Sequence, residues 1–114
     1  MAGELAEKRC LPCEGGVPPL GEAEAKGYLS RVKEWGLVDG KRIRREWRLK
    51  DFKQAWGLFS QIALLAEEEG HHPDMRITYN WIRVELTTHA IGGLSENDFI
   101  MAAKIDRLAA RAAP

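Results

Sequence analysis

All three histidines of this sequence, His71, His72 and His89, fall between positions 71 and 89. Imidazole is the side chain whose ordinary pKa lets it give and take protons near neutral pH, so several converging on one pocket suit general acid–base chemistry. A lone histidine is more often an ordinary surface residue, and it is the clustering that points to a site. Glu67, Glu68 and Glu69 precede the pair, in the last turn of an expected helix, where the dipole disfavours negative charge by about a few tenths to 1 kcal/mol each. They read either as a solvated acidic edge or, for Glu67, as a carboxylate that orients a neighbouring imidazole. Pro73 biases His72 towards extended backbone and so gives the His–His pair a defined orientation. Three imidazoles and a carboxylate could also ligate zinc or iron. Adjacent histidines on an extended chain point in different directions, however, so one ion would rarely take both, and a metal site ranks below acid–base work.

These side chains need a scaffold, and the hydrophobic pattern supplies one. Ala25, Tyr28, Leu29, Val32 and Trp35 recur at helical spacing, predicting a helix over 22–35 that Gly36 ends. Ile43, Arg45, Trp47 and Leu49 alternate with polar neighbours as a half-wet strand does, and Asp39-Gly40 is a hairpin turn signal that implies a short partner strand around Leu37. At Asp51 the period changes. Asp51 can cap a helix and Gln54 can reciprocate, while Phe52, Ala55, Trp56, Phe59, Ile62, Ala63 and Ala66 form its stripe and Gly70 and Pro73 stop it. Met75, Ile77 and Tyr79, then Ile82, Val84 and Leu86, give a second strand pair turning near Asn80. Ser95 and Asp98 have capping-box spacing, and Leu94 can staple onto Phe99, so a third helix starts there and runs towards Arg111. The order α-β-β-α-β-β-α argues for an α+β fold, an antiparallel sheet with helices on one face. His71, His72 and His89 then sit at the end of the second helix and the end of the last strand, where loops can converge.

The chain has 114 residues, enough for one domain with a real core. Residues 1–21 are rich in Gly and Pro without a periodic apolar face and read as an N-terminal arm, with 22–114 as the single domain. Lys plus Arg and Asp plus Glu both number 17, so no global field favours nucleic acid or an anionic membrane. No apolar run approaches a bilayer-spanning length and the N-terminus has no signal-peptide core, so the expected location is cytoplasmic. Cys10 and Cys13 form a lone C-x-x-C without a second ligand pair or a βαβ setting, and read as reduced thiols of the arm rather than as a redox or zinc motif.

With these residues in view, the chain resembles the pterin-4a-carbinolamine dehydratases. Glu67-Glu-Glu-Gly-His71-His72-Pro73, then Tyr79-Asn80, Thr87-Thr88-His89 and Gly93-Leu94-Ser95-Glu96-Asn97-Asp98 match that family's signature in order and spacing. Leu49-Lys50-Asp51-Phe52 resembles the family's second-helix start, and the segment Cys10 to Pro19 resembles the arm of bacterial members. The resemblance implies dehydration of 4a-hydroxytetrahydropterin to quinonoid dihydropterin, in recycling the product of an aromatic amino acid hydroxylase. No metal or organic cofactor is implied. His71 and His89 would be the acid–base pair, His72 would help bind the pterin, Glu67 would support His71, and Thr87 and Thr88 would line the pocket. Asp98 is a pocket acid by resemblance and a cap by pattern. Trp35 aligns loosely with the family's pocket tryptophan, and ends a stripe that suits core packing. A four-stranded antiparallel sheet bearing three helices, and a homodimer or homotetramer built by sheet-edge and helix pairing, are implied as well.

The competing reading is a non-catalytic binding module, since relatives of this fold serve as dimerisation cofactors of transcription factors or as assembly factors. An intact histidine set argues against a purely structural role. A metal-dependent hydrolase is the third reading.

Overall fold

The computed structural model describes residues 2–11 and 18–112. Its elements run α1 (Ala2–Ala6), α2 (Glu22–Leu29), β1 (Gly36–Val38), β2 (Arg42–Arg48), α3 (Phe52–Glu69), β3 (Asp74–Thr78), β4 (Trp81–Leu86), a 3-10 turn (His89–Ile91) and α4 (Glu96–Ala112). The strands form one antiparallel sheet in the order β1-β2-β4-β3. The expected α+β class and four-stranded sheet are present, with a fourth, short helix at the N-terminus.

Strand alternation works as the pattern predicts. Ile43, Ile82, Val84 and Leu86 are buried, and Met75, Ile77 and Trp47 pack against the same core. Full burial of each aliphatic side chain stabilises by roughly 1.5–3 kcal/mol. The opposite face carries charge: Glu85 accepts from Arg44 Nε at 2.6 Å and pairs with Arg42 at 3.3 Å. Asp39 and Gly40 both have positive φ, 55° and 68°, which a tight hairpin turn of the primed kind requires. At the other hairpin the left-handed residue is Tyr79, φ 50°, rather than Asn80. Asn80 instead fastens the tip, since its Nδ2 donates to the Leu49 carbonyl at 3.0 Å and its own carbonyl accepts from Leu49 N at 2.7 Å.

α3 is capped as expected at both ends. Asp51 accepts from Gln54 N at 2.9 Å, and Gly70 takes the left-handed conformation, φ 67°. The reciprocal Gln54 bond is not made, its Oε1 having no partner. Its buried stripe is Ala55, Leu58, Ile62 and Ala66, while Phe52 and Trp56, expected inside, are exposed.

Two further expectations are corrected. The first helix ends at Leu29, not Trp35: single turns follow, with Arg31 N bonded to Tyr28 O, Val32 N to Leu29 O and Trp35 N to Val32 O. These successive i,i+3 bonds keep Val32 and Trp35 facing the core, so burial spacing survives although the helix does not. Gly36 opens β1 rather than closing a helix. The arm, read as lying on the domain surface without a periodic apolar face, holds α1, whose Leu5 and Ala6 are buried in the common core beside α4. Lys104 Nζ donates to the Ala6 carbonyl at 3.0 Å and Arg107 pairs with Glu7 at 3.0 Å. So short a helix is unstable alone and forms because α4 receives Leu5, which no local pattern announces.

Candidate active site

The end of α3, the end of β4 and the start of α4 meet in a cleft of about 250 Å³ lined by Leu11, Gly70, His71, His72, Thr87, Thr88, His89, Ala90 and Asn97. All three histidines therefore share one cleft. Other hollows, of about 580, 400 and 260 Å³, are lined by no histidine.

His71 follows the left-handed Gly70, and its N–H bonds back to the Ala66 carbonyl at 3.3 Å. Its Nε2 lies 2.7 Å from Asp98 Oδ1. A carboxylate can only accept, so Nε2 carries the hydrogen and Nδ1 is left to exchange a proton. Asp98 is fully buried on the first turn of α4. Its other oxygen, Oδ2, accepts from Thr88 Oγ1 at 2.8 Å and from Ser95 N at 2.9 Å. The Ser95 hydroxyl, 2.7 Å from Thr88 Oγ1, donates to it because the Thr88 proton is spent on Asp98. Asp98 thus reaches back to the Ser95 amide with one oxygen, as the capping spacing predicts, and holds His71 with the other from behind the cleft lining.

His72 makes its own carboxylate pair, with Nε2 at 2.5 Å from Glu67 Oε2. The sequence reading gave Glu67 to His71. The structure gives it to His72, because His71 turns inward to Asp98 while His72, next along the extended chain, turns out towards the helix end.

His89 starts the 3-10 turn on a loop closed by the Thr88–Gly93 bridge, with Thr88 N to Gly93 O at 2.8 Å, and ended by Gly92 at φ 69°. Gly93 admits no side chain, since a Cβ there would stand 2.7 Å from Pro19 Cβ. His89 is exposed at the cleft mouth. Thr87 Oγ1 donates to the Lys41 carbonyl at 2.6 Å, tying the cleft rim to the β1–β2 hairpin.

Trp35 is not brought to this cleft. It is buried in the core, its Nε1 donating to Asp106 Oδ1 at 2.9 Å, with Arg45 on the same oxygen at 2.6 Å and Trp47 edge-on at 5.9 Å. Burial pushes the Asp106 carboxyl above its ordinary range against the pull of those two donors.

Sequence reasoning missed Leu11, Asn97 and Glu69. Asn97 Oδ1 accepts from Leu11 N at 3.0 Å and its Nδ2 donates to Leu11 O at 2.6 Å. Glu69 Oε1 accepts from Cys10 N at 2.8 Å, and Oε2 pairs with Lys104 at 3.6 Å. Of the three glutamates, then, one is an anchor for the arm. These partners lie far apart in the chain, and no local signal could have found them. Cys13 lies outside the described residues, and Cys10 is half-buried with its thiol pushed up to about 12, by burial first and by Glu69 second. Among the described residues no group of three or more His, Cys, Asp or Glu is arranged to hold a metal ion.

Sheet, helices and cleft define a small α+β protein with a polar, histidine-lined site. The model of the family "Pterin 4 alpha carbinolamine dehydratase" matches residues 18–108. A Nitrosomonas eutropha protein described as a pterin-4-alpha-carbinolamine dehydratase is 51% identical over 106 residues, 92% of this chain and 93% of its own. A protein of the same description from Methylococcus capsulatus is 47% identical over 97% of this chain and 98% of its own. The crystal structure of a transcriptional coactivator/pterin dehydratase from Brucella melitensis is 39% identical, covers 80% of this chain and 98% of its own, and superposes with a TM-score of 0.76. A pterin dehydratase-like RuBisCO assembly factor of the alpha-carboxysome, 20% identical with a TM-score of 0.58, shares the fold. The chain belongs to the pterin-4a-carbinolamine dehydratase family, and as an enzyme it is of the hydro-lyase class.

Proposed function

We propose that the protein eliminates water from 4a-hydroxytetrahydropterin to give quinonoid dihydropterin, with His71 and His89 as the general acid–base pair. Losing water from a carbinolamine needs one proton delivered to the departing hydroxyl and one removed from the ring. Two imidazoles in opposite states, facing one cleft, do both. The observation that carries this reading is the buried His71–Asp98 pair at 2.7 Å, opening onto the same cleft as His89. A carboxylate there fixes the ring's tautomer and offsets its charge while it holds the extra proton, the part an aspartate plays behind a histidine in other acid–base sites.

The remaining roles follow from position. His72, steadied by Glu67, faces the pterin from the rim, Thr87 lines the cleft, and Thr88 acts through Asp98 as a positioning residue. The domain is taken as 22–114, with 1–21 as an arm. No metal or organic cofactor takes part. The setting is tetrahydropterin recycling after an aromatic amino acid hydroxylase, in the cytoplasm, without nucleic-acid or membrane partners; no helix among the described residues is long and apolar enough to cross a membrane. Homodimers or homotetramers are supported by exposed Phe52, Trp56 and Leu64 on α3.

The test is stopped-flow absorbance of carbinolamine loss after a hydroxylase turnover, with wild type, His71→Ala, His89→Ala and an EDTA-treated sample. We expect acceleration by wild type, with or without EDTA, and losses of about 100-fold or more in each variant. No acceleration by wild type would sink the reading in favour of a binding module.

A further inference from the structure

The walls of the histidine cleft are chemically lopsided. Six of its lining residues, His71, His72, Thr87, Thr88, His89 and Asn97, are polar, and Gly70 and Ala90 are small. Leu11 is the one large aliphatic side chain that lines it among the described residues, and it is 70% exposed. An exposed leucine on a soluble surface needs no explanation by itself, but this one is held in place. Asn97, itself buried, spends both ends of its amide on the Leu11 backbone, at 3.0 and 2.6 Å. One residue earlier, Cys10 N is fixed to Glu69 at 2.8 Å, and Glu69 is in turn held by Lys104. The arm is thus anchored to α4 and to the end of α3 where it reaches the cleft, and its side chain there is apolar.

We infer that Leu11 is a substrate-contact residue of the arm, packing on the apolar face of the pterin ring, and that Asn97 is the positioning residue that keeps it there. The inference rests on the dehydratase reading above. The bicyclic carbinolamine has a polar edge, which the histidines and threonines suit, one face that bears the 4a-hydroxyl, and an opposite, less polar face that gains by leaving water. Leu11 is the side chain of the cleft able to cover such a face. Because that contact exists before and after the bond to the hydroxyl breaks, it acts on substrate binding and leaves the chemical step alone.

Initial rates of carbinolamine loss at varied pterin concentration test this in wild type, Leu11→Ala, Leu11→Met, Asn97→Ala and the Leu11→Ala, Asn97→Ala double variant. Leu11→Ala should raise KM about five- to tenfold with kcat within about twofold, and Leu11→Met should restore KM. Asn97→Ala should raise KM similarly, and the double variant should be little worse than either single, because the two changes remove one contact. The rise should be the same for a pterin without the C6 side chain, since the ring face is common to both. Leu11 is exposed, so its variants keep the fold even if Asn97→Ala does not. Unchanged KM in Leu11→Ala with normal wild-type turnover overturns this inference alone, as does a rise confined to pterins bearing the side chain. Wild type that neither turns over the carbinolamine nor binds 7,8-dihydropterin overturns the dehydratase reading and this inference together.

Discussion

Two adjacent histidines each hold a carboxylate at nearly the same distance, and only one of the pairs is built into the protein. His71 and Asp98, 2.7 Å apart, have side chains 11% and 0% exposed, and the carboxylate is held by two further donors. His72 and Glu67, 2.5 Å apart, are 60% and 76% exposed, and among the described residues His72 is the carboxylate's one partner. Water and salt screen the second pair, whose worth is at most about 1 kcal/mol, while the first lies where the effective dielectric is lower and losing a partner strands a buried group. Distance alone would have made them equals. Burial and the surrounding donors separate them.

That contrast predicts a steep order of effects. Asp98→Asn should cost the most, with kcat lowered by about 100- to 1000-fold and the Tm lowered as well, since one residue orients His71, caps α4 and satisfies Thr88. Steady-state kinetics with thermal melts check this; near wild-type kcat would erase the distinction between the pairs. A middle-sized effect belongs to the arm, where burial again outweighs exposure. The Cys10 thiol is pushed up from its ordinary 9.0 to about 12, so the unfolded chain releases that proton first. Its contribution to stability is complete below pH 9.0 and is lost as pH climbs towards about 12. Denaturant midpoints for wild type and Cys10→Ala from neutral to alkaline pH should converge over that range, and alkylation of Cys10 in the folded protein at pH 8 should be slow. Parallel curves would show that the thiol is not sheltered. The smallest effect is expected for Glu67→Gln, which should change kcat by less than about twofold and fade further in salt. A loss as deep as that of Asp98→Asn would reverse the comparison.

Much of this molecule is legible without coordinates. The strands, the Asp39-Gly40 turn, the Asp51 and Gly70 ends of α3 and the placement of the histidines at the ends of α3 and β4 follow from periods and caps that span a few residues. Where the period was shared by two structures it misled: Val32 and Trp35 keep helical spacing on consecutive turns, and Phe52 and Trp56 fit the α3 stripe yet face outward. The arm was harder still, because α1 exists only through Leu5 being received beside α4.

By itself the sequence determined the family, the α+β order and the set of side chains available for proton transfer, because patterning and short motifs act between near neighbours. Only the tertiary structure decided that Asp98, 27 positions away, and not nearby Glu67, holds His71. It also decided that Trp35 serves Asp106, and that Leu11 and Asn97 border the cleft. Such pairings are selected by which groups are buried together. That is a property of packing between elements, which no local pattern encodes.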